Sequence, residues 1–243
     1  MDKLKNKPML LGLTGSMAAG KSTAALLLRA CGLPVLDADE AAHGALESAD
    51  VKERLVSLFG AGILDGAGAI DRKKLASVAF LSDEATNSLN SAVHPAVKHI
   101  LLEKASALLA TARYPAVVLD VPLLFESGLD KSCDRVLVIA ASDETRYLRI
   151  MLRDGLTRAQ AERRVKKQLP QEDKLARADA FVMNDGTLFE LAEGLERALA
   201  AVGLDAALLP KAPTAAAAEL FSKRDRARMK SQERKKPGDQ SDE

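Results

Sequence analysis

The feature that most constrains this chain is a complete G-x-x-x-x-G-K-S pattern at residues 15–22. It directly follows the apolar run Met9–Leu13, which is typical of a buried strand, and it leads into a helical pattern over Ser22–Ala30. In that setting the backbone N–H groups of the loop and the helix N-terminus converge on one polyphosphate. We expect Lys21 to reach the terminal phosphates and Ser22 to offer its hydroxyl to Mg²⁺, because this hard cation takes oxygen ligands. A glycine turn beside a surface lysine is the alternative interpretation.

Composition and charge exclude several classes of protein. The 243 residues are 47% hydrophobic but only 3% aromatic, enough for one aliphatic core with a small appendage. Lys and Arg total 35 against 34 acidic residues, so net charge gives no reason to expect nucleic acid or a membrane as main partner. Cys31 and Cys133 lack C-x-x-C spacing, which argues against a zinc site or a disulfide scaffold. Apolar runs are too short for a signal peptide or a membrane span, and we expect a cytoplasmic protein.

Five short apolar runs predict the strands of a parallel sheet. They lie at Met9–Leu13, Pro34–Leu36, Ala116–Leu119, Val136–Ala140 and Ala180–Met183, and helical patterns separate most of them. Runs that are apolar throughout are typical of strands with helices on both faces. The sequence therefore predicts an α/β fold over residues 8–202, with a five-stranded parallel sheet between two helical layers.

Two stretches between the strands carry helical patterns and are expected to be insertions. The first covers about 50–112 and is a natural place for a substrate-binding cap. The second covers about 154–177 and fits either a closing lid over a polyphosphate or an ordinary solvated helix. Its cations are Arg158, Arg163, Arg164, Lys166, Lys167 and Lys174. We expect residues 203–243 to form a charged tail, either disordered or a lone helix, that activity does not need, although its basic run could bind RNA or an acidic partner weakly.

Two aspartates follow the second predicted strand. In an extended segment, Asp37 and Asp39 would place both carboxylates on one side, at the strand end where open α/β sheets bind ligands. One carboxylate can accept the proton of an attacking hydroxyl while the other helps to hold Mg²⁺. Alternatively, Asp39 is a helix N-cap and Asp37 a turn residue. If Asp39 opens the helix, His43 lies one turn further and faces the same cleft.

Two further segments carry candidate groups. The third strand ends in Asp120, and an apolar loop then leads to Glu126. A carboxylate at that place approaches Mg²⁺ or its waters in phosphate-loop enzymes, or it caps a turn. His94 and Pro95 fall between two helical patterns, so His94 is expected to be extended and Pro95 can be the first residue of a helix.

Together these motifs resemble the dephospho-CoA kinase family over about residues 9–201. The segments that carry the resemblance are Gly15–Ser22, Asp37-Ala38-Asp39 with His43, His94-Pro95, Asp120–Glu126 and Asn184-Asp185-Gly186. The resemblance implies transfer of the ATP γ-phosphoryl group to the ribose 3′-hydroxyl of dephospho-CoA, the last step of coenzyme A synthesis, with Mg²⁺. It also implies a phosphate-loop core, a helical region that binds the acceptor, and a lid.

The resemblance also implies roles for individual residues. Asp39 matches the catalytic base, with Asp37 beside it as a second catalytic residue, and Lys21 is implied as a catalytic cation. Asp37 and Ser22 are also implied as Mg²⁺ ligands. The implied ATP-binding residues are Gly15, Ser16, Met17, Ala18, Ala19, Gly20, Lys21, Ser22, Thr23, Arg153 and Arg164. The implied acceptor-binding residues are His43, His94, Pro95, Asp120, Leu123, Leu124, Phe125 and Glu126.

The chain departs from the family pattern at three places. Ser16 and Ala18 stand where the family often has glycine. Met183 stands where an aspartate is common, which leaves the role of that polar group open. The lid match is weaker, since Arg163 or Lys167 could serve as the second lid arginine.

Three other kinds of protein compete with this interpretation. Phosphate-loop kinases of shikimate, gluconate or nucleoside monophosphates share the loop, the sheet and the lid, but a shikimate kinase would usually have adjacent glycines, which this sequence lacks. A GTPase would need an Asn-Lys-x-Asp segment, and none is present. A nucleic-acid-binding protein would act through the basic tail, which lacks interleaved aromatic residues for base stacking.

Overall fold

The structure is a computed structural model that describes residues 7–166, 168–205, 207 and 209–219. Its strands are β1 (Met9–Gly15), β2 (Val35–Asp37), β3 (Ala116–Asp120), β4 (Arg135–Ala140) and β5 (Ala180–Met183). Its α-helices are α1 (Lys21–Ala30), α2 (Ala38–Ala45), α3 (Ala49–Phe59), α4 (Arg72–Ala79), α5 (Asp83–Ala110), α6 (Asp143–Asp154), α7 (Arg158–Val165), α8 (Gln171–Ala176) and α9 (Leu188–Ala201). Short 3₁₀ helices lie at Ala61–Ile63 and Leu129–Ser132, and residues 213–219 are also helical. Within the described residues, no helix is both long and apolar enough to cross a membrane.

The five strands form one parallel sheet in the order β2-β3-β1-β4-β5, which confirms the predicted fold class and all five predicted strands. Leu11 and Leu13 of β1 belong to the core shared with α1 and α9, whereas Leu10 belongs to the core shared with α5. Alternate residues of a strand point to opposite faces, so β1 is apolar throughout because helices bury both. All five strands run the same way, and their carboxyl ends therefore form one edge.

Gly12 explains how the segment after β3 can pack across the sheet. A Cβ atom at this position would lie 2.8 Å from Cδ2 of Leu124 and 2.9 Å from Sγ of Cys133. Glycine inside a strand commonly marks such a close approach. The absence of a side chain at this position lets the 121–133 segment lie directly against β1.

The expectation for His94 and Pro95 is wrong, because both residues lie inside the continuous helix α5. A proline in a helix removes the hydrogen bond to the carbonyl four residues earlier, here that of Ser91, and its ring clashes there at a cost of about 3 kcal/mol. The buried face of α5 continues on both sides of the proline, from Val93 to Val97. Burial of this face compensates for the lost bond, since each large apolar side chain contributes roughly 1.5–3 kcal/mol when fully buried.

Both predicted insertions are helical, but their details differ from the expectation. Between β2 and β3 the chain forms α2 to α5, and an isolated antiparallel bridge joins Leu64 to Ile70. Between β4 and β5 the basic stretch is two short helices, α7 and α8, instead of one. Pro170 stands directly before α8 and cannot continue a preceding helix.

The boundary of the predicted tail at residue 203 is too early. Leu204, Leu209 and Ala216 are buried in the core formed by α1 and α9. Thr214 fixes this segment, because its N–H donates to Oε1 of Glu196 in α9 at 3.0 Å. The segment is rich in alanine, whose small side chains give a weak hydrophobic signal but still pack closely. Most of the predicted tail, residues 220–243, lies outside the described residues.

Candidate active site

The loop between β1 and α1, residues 15–22, depends on two residues with positive φ; we call it the phosphate loop. Gly20 has φ 97°, and a Cβ atom there would lie 2.2 Å from Nδ2 of Asn184, so glycine is required for both conformation and space. Ala18 has φ 61°, a left-handed conformation that costs a non-glycine residue roughly 1–2 kcal/mol. Ser16 buries a hydroxyl that has no hydrogen-bond partner in the described part of the chain. Both departures from the family's glycines therefore leave the loop strained or underbonded.

The phosphate loop presents its backbone donors to the cleft. Across residues 7–166 and the later described segments, the structure shows no acceptor for the N–H groups of Ala18, Gly20, Lys21 and Ser22. Helix α1 begins at Lys21 without a side-chain cap. Such N–H groups at a helix N-terminus carry partial positive charge and bind phosphate oxygens.

Three side chains from outside the loop hold its backbone. Nδ2 of Asn184 donates to the Ala19 carbonyl at 2.7 Å, and Nη1 of Arg149 lies 3.4 Å from the same oxygen. On the lid side, the N–H of Met17 donates to Oε1 of Gln168 at 3.0 Å. The loop is therefore supported by β5, α6 and the segment between α7 and α8.

Two of these supporting residues, Arg149 and Gln168, were not predicted from the sequence. Arg149 lies one helical turn before Arg153 on α6, so its spacing from a predicted site residue was the available signal. Gln168 is uncharged and stands in a basic stretch, where nothing in the sequence distinguishes it. Asn184 belongs to one of the segments that carry the family resemblance, and the structure shows its side chain bonded to the Ala19 carbonyl.

Asp37 and Asp39 lie in different environments. Asp37 ends β2 and caps α2, because its Oδ1 accepts from the N–H groups of Asp39 at 2.8 Å and Glu40 at 3.3 Å. Both alternatives for this pair are wrong: Asp39 is not in an extended segment with Asp37, and Asp37, not Asp39, is the N-cap. The helix starts directly after the strand, since Asp37 already satisfies the first free N–H groups. Asp39 lies in the first turn of α2 and lines a cavity described below.

Asp37 and Asp120 are register partners at the ends of β2 and β3. The carboxylate of Asp120 pairs with the ammonium of Lys21, and Asp120 is 4% exposed. Burial raises the pKa of Asp120, with a smaller contribution from the Asp37 charge, while Lys21 opposes the rise. Asp120 thus lies next to both Asp37 and Lys21, at the edge of the sheet beside the phosphate loop.

This edge of the sheet offers oxygen donors that suit Mg²⁺. They are the exposed hydroxyl of Ser22, the carboxylate of Asp120 and the Asp37 oxygen that does not cap α2. Mg²⁺ typically takes one or two carboxylates together with phosphate oxygens, and it keeps several waters. The described residues contain no group of three or more His, Cys, Asp or Glu side chains that could enclose a metal. The donor set therefore fits an ion that is shared with a nucleotide.

A cavity of about 720 Å³ opens between α2, α4, α5 and the loop after β3; we call it the α2–α5 cavity. Much of its wall is apolar, with contributions from Leu46, Leu75, Leu89, Val93, Val97 and Leu129. Its ionisable residues are Asp39, His43, Arg72, His94 and Lys98. Partial burial lowers the pKa of His94, because desolvation disfavours the charged imidazolium.

The predicted acceptor-binding residues divide into two groups. Those that line the α2–α5 cavity are His43, His94, Pro95 and Leu123. Those outside its lining are Asp120, Leu124, Phe125 and Glu126. Leu124 and Phe125 are buried in the hydrophobic core, and the Glu126 carboxylate faces Lys174 of α8.

Two cations of the α2–α5 cavity, Arg72 and Lys98, were not predicted from the sequence. Arg72 is the first residue of α4, and Lys98 lies one turn after His94 on α5. Within the described residues, neither side chain has a carboxylate within 4 Å. Both stand in plain helical sequence, so only the tertiary packing brings them to this cavity.

The predicted lid arginines, Arg153 and Arg164, converge on one carboxylate. Nε of Arg153 lies 2.8 Å from Oδ1 of Asp154, and Nη1 of Arg164 pairs with Oδ2 of the same residue. These guanidinium groups, Arg153 first, hold the pKa of Asp154 below its usual range. Arg163 is exposed at the end of α7, and Lys167 lies outside the described residues.

Comparisons with known proteins identify the family of this chain. A family model described as dephospho-CoA kinase matches residues 9–190. A dephospho-CoA kinase from Geobacillus kaustophilus is 44% identical over 178 residues, which are 73% of this chain and 88% of the relative. One from Anaeromyxobacter dehalogenans is 42% identical over 205 residues, 84% of this chain and 97% of the relative.

A solved structure supports the same relationship at the level of the fold. The dephospho-CoA kinase from Campylobacter jejuni superposes with a TM-score of 0.63 at 28% identity. The match covers 80% of this chain and 96% of that protein. With its sequence matched over most of its length and its fold over four fifths, the chain belongs to the dephospho-CoA kinase family.

Proposed function

We propose that this kinase transfers the γ-phosphoryl group of ATP to the ribose 3′-hydroxyl of dephospho-CoA, which yields coenzyme A and ADP. The observation that carries the proposal is the position of Asp39. Its carboxylate lines a cavity of about 720 Å³, while Asp37, two residues earlier, lies beside the carboxylate that pairs with Lys21. A phosphate site and a large apolar cavity therefore meet at one short segment.

The nucleotide lies on the phosphate-loop side of this segment. The free N–H groups of the loop bind phosphate oxygens, and Lys21 is shared between Asp120 and the terminal phosphates. Arg153 and Arg164 exchange part of their contact with Asp154 for phosphate oxygens when the lid closes. Their fork of donors suits this exchange, because carboxylate and phosphate present similar oxygen pairs.

Ser22, Asp37 and Asp120 would hold Mg²⁺ through one hydroxyl and two carboxylates. The ion supplies neutralisation of charge on the phosphate oxygens when it is bound. Asp37 keeps one oxygen on the N-terminus of α2. This contact fixes the start of the helix that carries Asp39.

Asp39 accepts the proton of the acceptor hydroxyl as the hydroxyl oxygen attacks the γ-phosphorus. The new O–P bond forms while the bond from the γ-phosphorus to the β–γ bridging oxygen breaks, and ADP leaves with that electron pair. A carboxylate suits this role because the acceptor proton is lost only as the phosphoryl group arrives. The cavity lining excludes bulk water from the nucleophile's place, which limits hydrolysis of ATP.

The α2–α5 cavity matches the other parts of the acceptor. Dephospho-CoA joins an adenosine to a long pantetheine arm through a diphosphate, so it combines apolar surface with two negative charges. The apolar lining accommodates the apolar surface of the acceptor. Arg72 and Lys98, which have no carboxylate within 4 Å in the part of the chain that the structure describes, suit the diphosphate. His43 and His94 add further polar groups to the wall.

The test measures ADP release by the purified protein with ATP, Mg²⁺ and one acceptor at a time. The acceptors are dephospho-CoA, shikimate, gluconate and AMP. We expect turnover with dephospho-CoA and a product phosphorylated at the 3′ position, which phosphorus NMR identifies. Release of ADP with one of the others, but not with dephospho-CoA, would overturn the proposal.

A further inference from the structure

The two helices of the second insertion are attached to the molecule in different ways. Helix α7 contributes only Ala161 to the buried residues. Its ion pairs, Arg158 with Glu144 and Arg164 with Asp154, join side chains that are partly exposed. Ion pairs of this kind contribute little to stability. The contacts of α7 can therefore be exchanged at low cost.

Helix α8 is instead anchored by buried polar groups. Gln171 is 8% exposed and bonds the backbone of Ala141 in both directions, at 3.2 Å from its N–H and 3.1 Å to its carbonyl. Ala141 directly follows β4, so this pair fixes the first turn of α8 to the sheet. A buried amide of this kind has no alternative partner if the helix moves away.

Lys174 is the largest fully buried side chain of the described residues, with an exposure of 0%. Its ammonium lies 3.3 Å from Oε1 of Glu126 but makes no hydrogen bond within the described part of the chain. A buried ammonium is costly unless an opposite charge compensates it, and loss of that charge leaves it uncompensated. The burial of Lys174 therefore ties α8 to the position of Glu126.

A second cation strengthens the same junction. Nη2 of Arg177, directly after α8, lies 2.8 Å from Oδ2 of Asp130. Its guanidinium carbon lies 4.3 Å from the ring centroid of Phe125, within the range of a cation–π contact. Lys174 and Arg177 thus hold Phe125, Glu126 and Asp130, three residues of one loop.

The other side of that loop faces the α2–α5 cavity. Leu123, Ser127 and Leu129 line the cavity. They are interspersed along the chain with Phe125, Glu126 and Asp130, the residues that Lys174 and Arg177 contact. Segment 121–130 is therefore a wall between α8 and the cavity. Displacement of α8 would leave the wall without the charges that fix it from behind.

We infer that α8 is a fixed buttress of the acceptor cavity and that Lys174 is a positioning residue that acts through Glu126. Lid movement is then confined to segment 155–165, which contains α7. Glu126 serves the acceptor site without touching the acceptor, although the family resemblance groups it with the acceptor-binding residues. The inference rests on the proposed function for the identity of the acceptor.

The test is a double-mutant cycle with Lys174→Met, Glu126→Gln and the combined variant. We expect each single variant to raise KM for dephospho-CoA about tenfold and to leave KM for ATP unchanged. The combined variant should be no worse than either single one, because both remove the same interaction. If Glu126→Gln raises KM while Lys174→Met does not, Glu126 acts on the acceptor directly and the inference fails.

Leu195→Ala is the control for loss of stability. Leu195 is fully buried on the opposite face of the sheet, in the core formed by α1 and α9. Its truncation should lower the free energy of unfolding and leave KM for dephospho-CoA unchanged. An equal rise of KM in this control would show that general destabilisation explains the result and would overturn the inference. If Lys174→Met does not fold, hydrogen exchange in Glu126→Gln decides: unchanged exchange in segment 121–130 would overturn the inference.

Hydrogen exchange supplies a readout that needs no turnover. With an ATP analogue, amides of α7 should become more protected while those of α8 stay as they were. Glu126→Gln should speed exchange in segment 121–130 but not in α7. Equal gains of protection in α7 and α8 would make both helices one moving lid and would refute the buttress. Failure of the wild-type protein to phosphorylate dephospho-CoA would instead refute the proposed function, and the exchange result would still stand by itself.

Discussion

The phosphate loop and the α2–α5 cavity meet at Asp37–Asp39 but differ in the chemical groups that form them. The loop is eight consecutive residues, and its binding groups are backbone N–H donors held from behind by Asn184 and Arg149. The cavity is made of side chains that come from α2, α4, α5 and the loop after β3. Backbone donors recognise any polyphosphate, whereas a wall of side chains can select one acceptor. Nucleotide binding is thus a local property of this chain, and acceptor choice is a property of its packing.

The sharpest test of this division is Asp39→Asn. We expect kcat to fall by about 10²–10⁴-fold, because the variant keeps the shape of the residue but removes the proton acceptor. KM for ATP should stay nearly constant, since Asp39 lines the cavity and not the loop. Glu40→Gln is the matched control, one position further in the same first turn of α2, and it should retain full activity. Unchanged turnover in the Asp39 variant would remove it from the role of base.

The next largest effect is expected from Arg72→Met and Lys98→Met. Each should raise KM for dephospho-CoA roughly 10- to 100-fold, the equivalent of about 1.5–3 kcal/mol for a charge-assisted hydrogen bond. Steady-state kinetics should show that KM for ATP in both variants equals that of the wild-type protein. Lys73→Met is the control, because Lys73 follows Arg72 on α4 but does not line the cavity. A matching rise of KM for ATP would show that ATP and the acceptor are not bound by separate groups of residues.

On the nucleotide side, Gly20→Ala should lower stability by about 1–3 kcal/mol and weaken ATP binding. The added methyl meets Nδ2 of Asn184 at 2.2 Å, and the φ of 97° disfavours alanine. Chemical denaturation and titration with an ATP analogue measure the two effects. Binding of dephospho-CoA should be retained if the division between loop and cavity holds.

The smallest effect is expected from Ala18→Gly, and it should be a gain. Glycine relieves the left-handed strain at φ 61°, worth about 1–2 kcal/mol, and loses roughly 0.5–1 kcal/mol through its own flexibility. We therefore expect a rise in the free energy of unfolding of up to about 1.5 kcal/mol. Ala19→Gly is the control: Ala19 is fully buried, its φ is not positive, and its replacement should destabilise the protein. A loss of stability in both variants would show that residue 18 is not strained.

The sheet and the phosphate loop were predictable from the sequence because their signals are local. Continuous apolar runs marked all five strands, since helices bury both faces of the sheet. The loop pattern fixes conformation and donors within eight residues. The family resemblance, carried by five short segments, agreed with the family match over residues 9–190.

Features that depend on distant partners were not predictable. Pro95 looked like a helix start, but burial of α5 on both sides of it carries the helix through. Lys174 looked like one more lid cation, and only the fold shows it buried against Glu126. Arg72 and Lys98 reach the cavity from two helices that have no motif. The roles of the predicted site residues remain predictions that the variants above address.

The packing of residues 209–217 has a practical consequence for truncated variants of this protein. The family match stops at residue 190, yet the core continues to Ala217, so a domain cut at the similarity boundary would open one side of α1. The cut would uncover Cys31, whose fully buried thiol has a pKa raised to about 11, mainly by burial. Reaction of that thiol with a labelling reagent would then report, in the intact protein, how often the C-terminal segment lifts from the enzyme. The chain thus carries its own probe for a contact that family similarity alone would overlook.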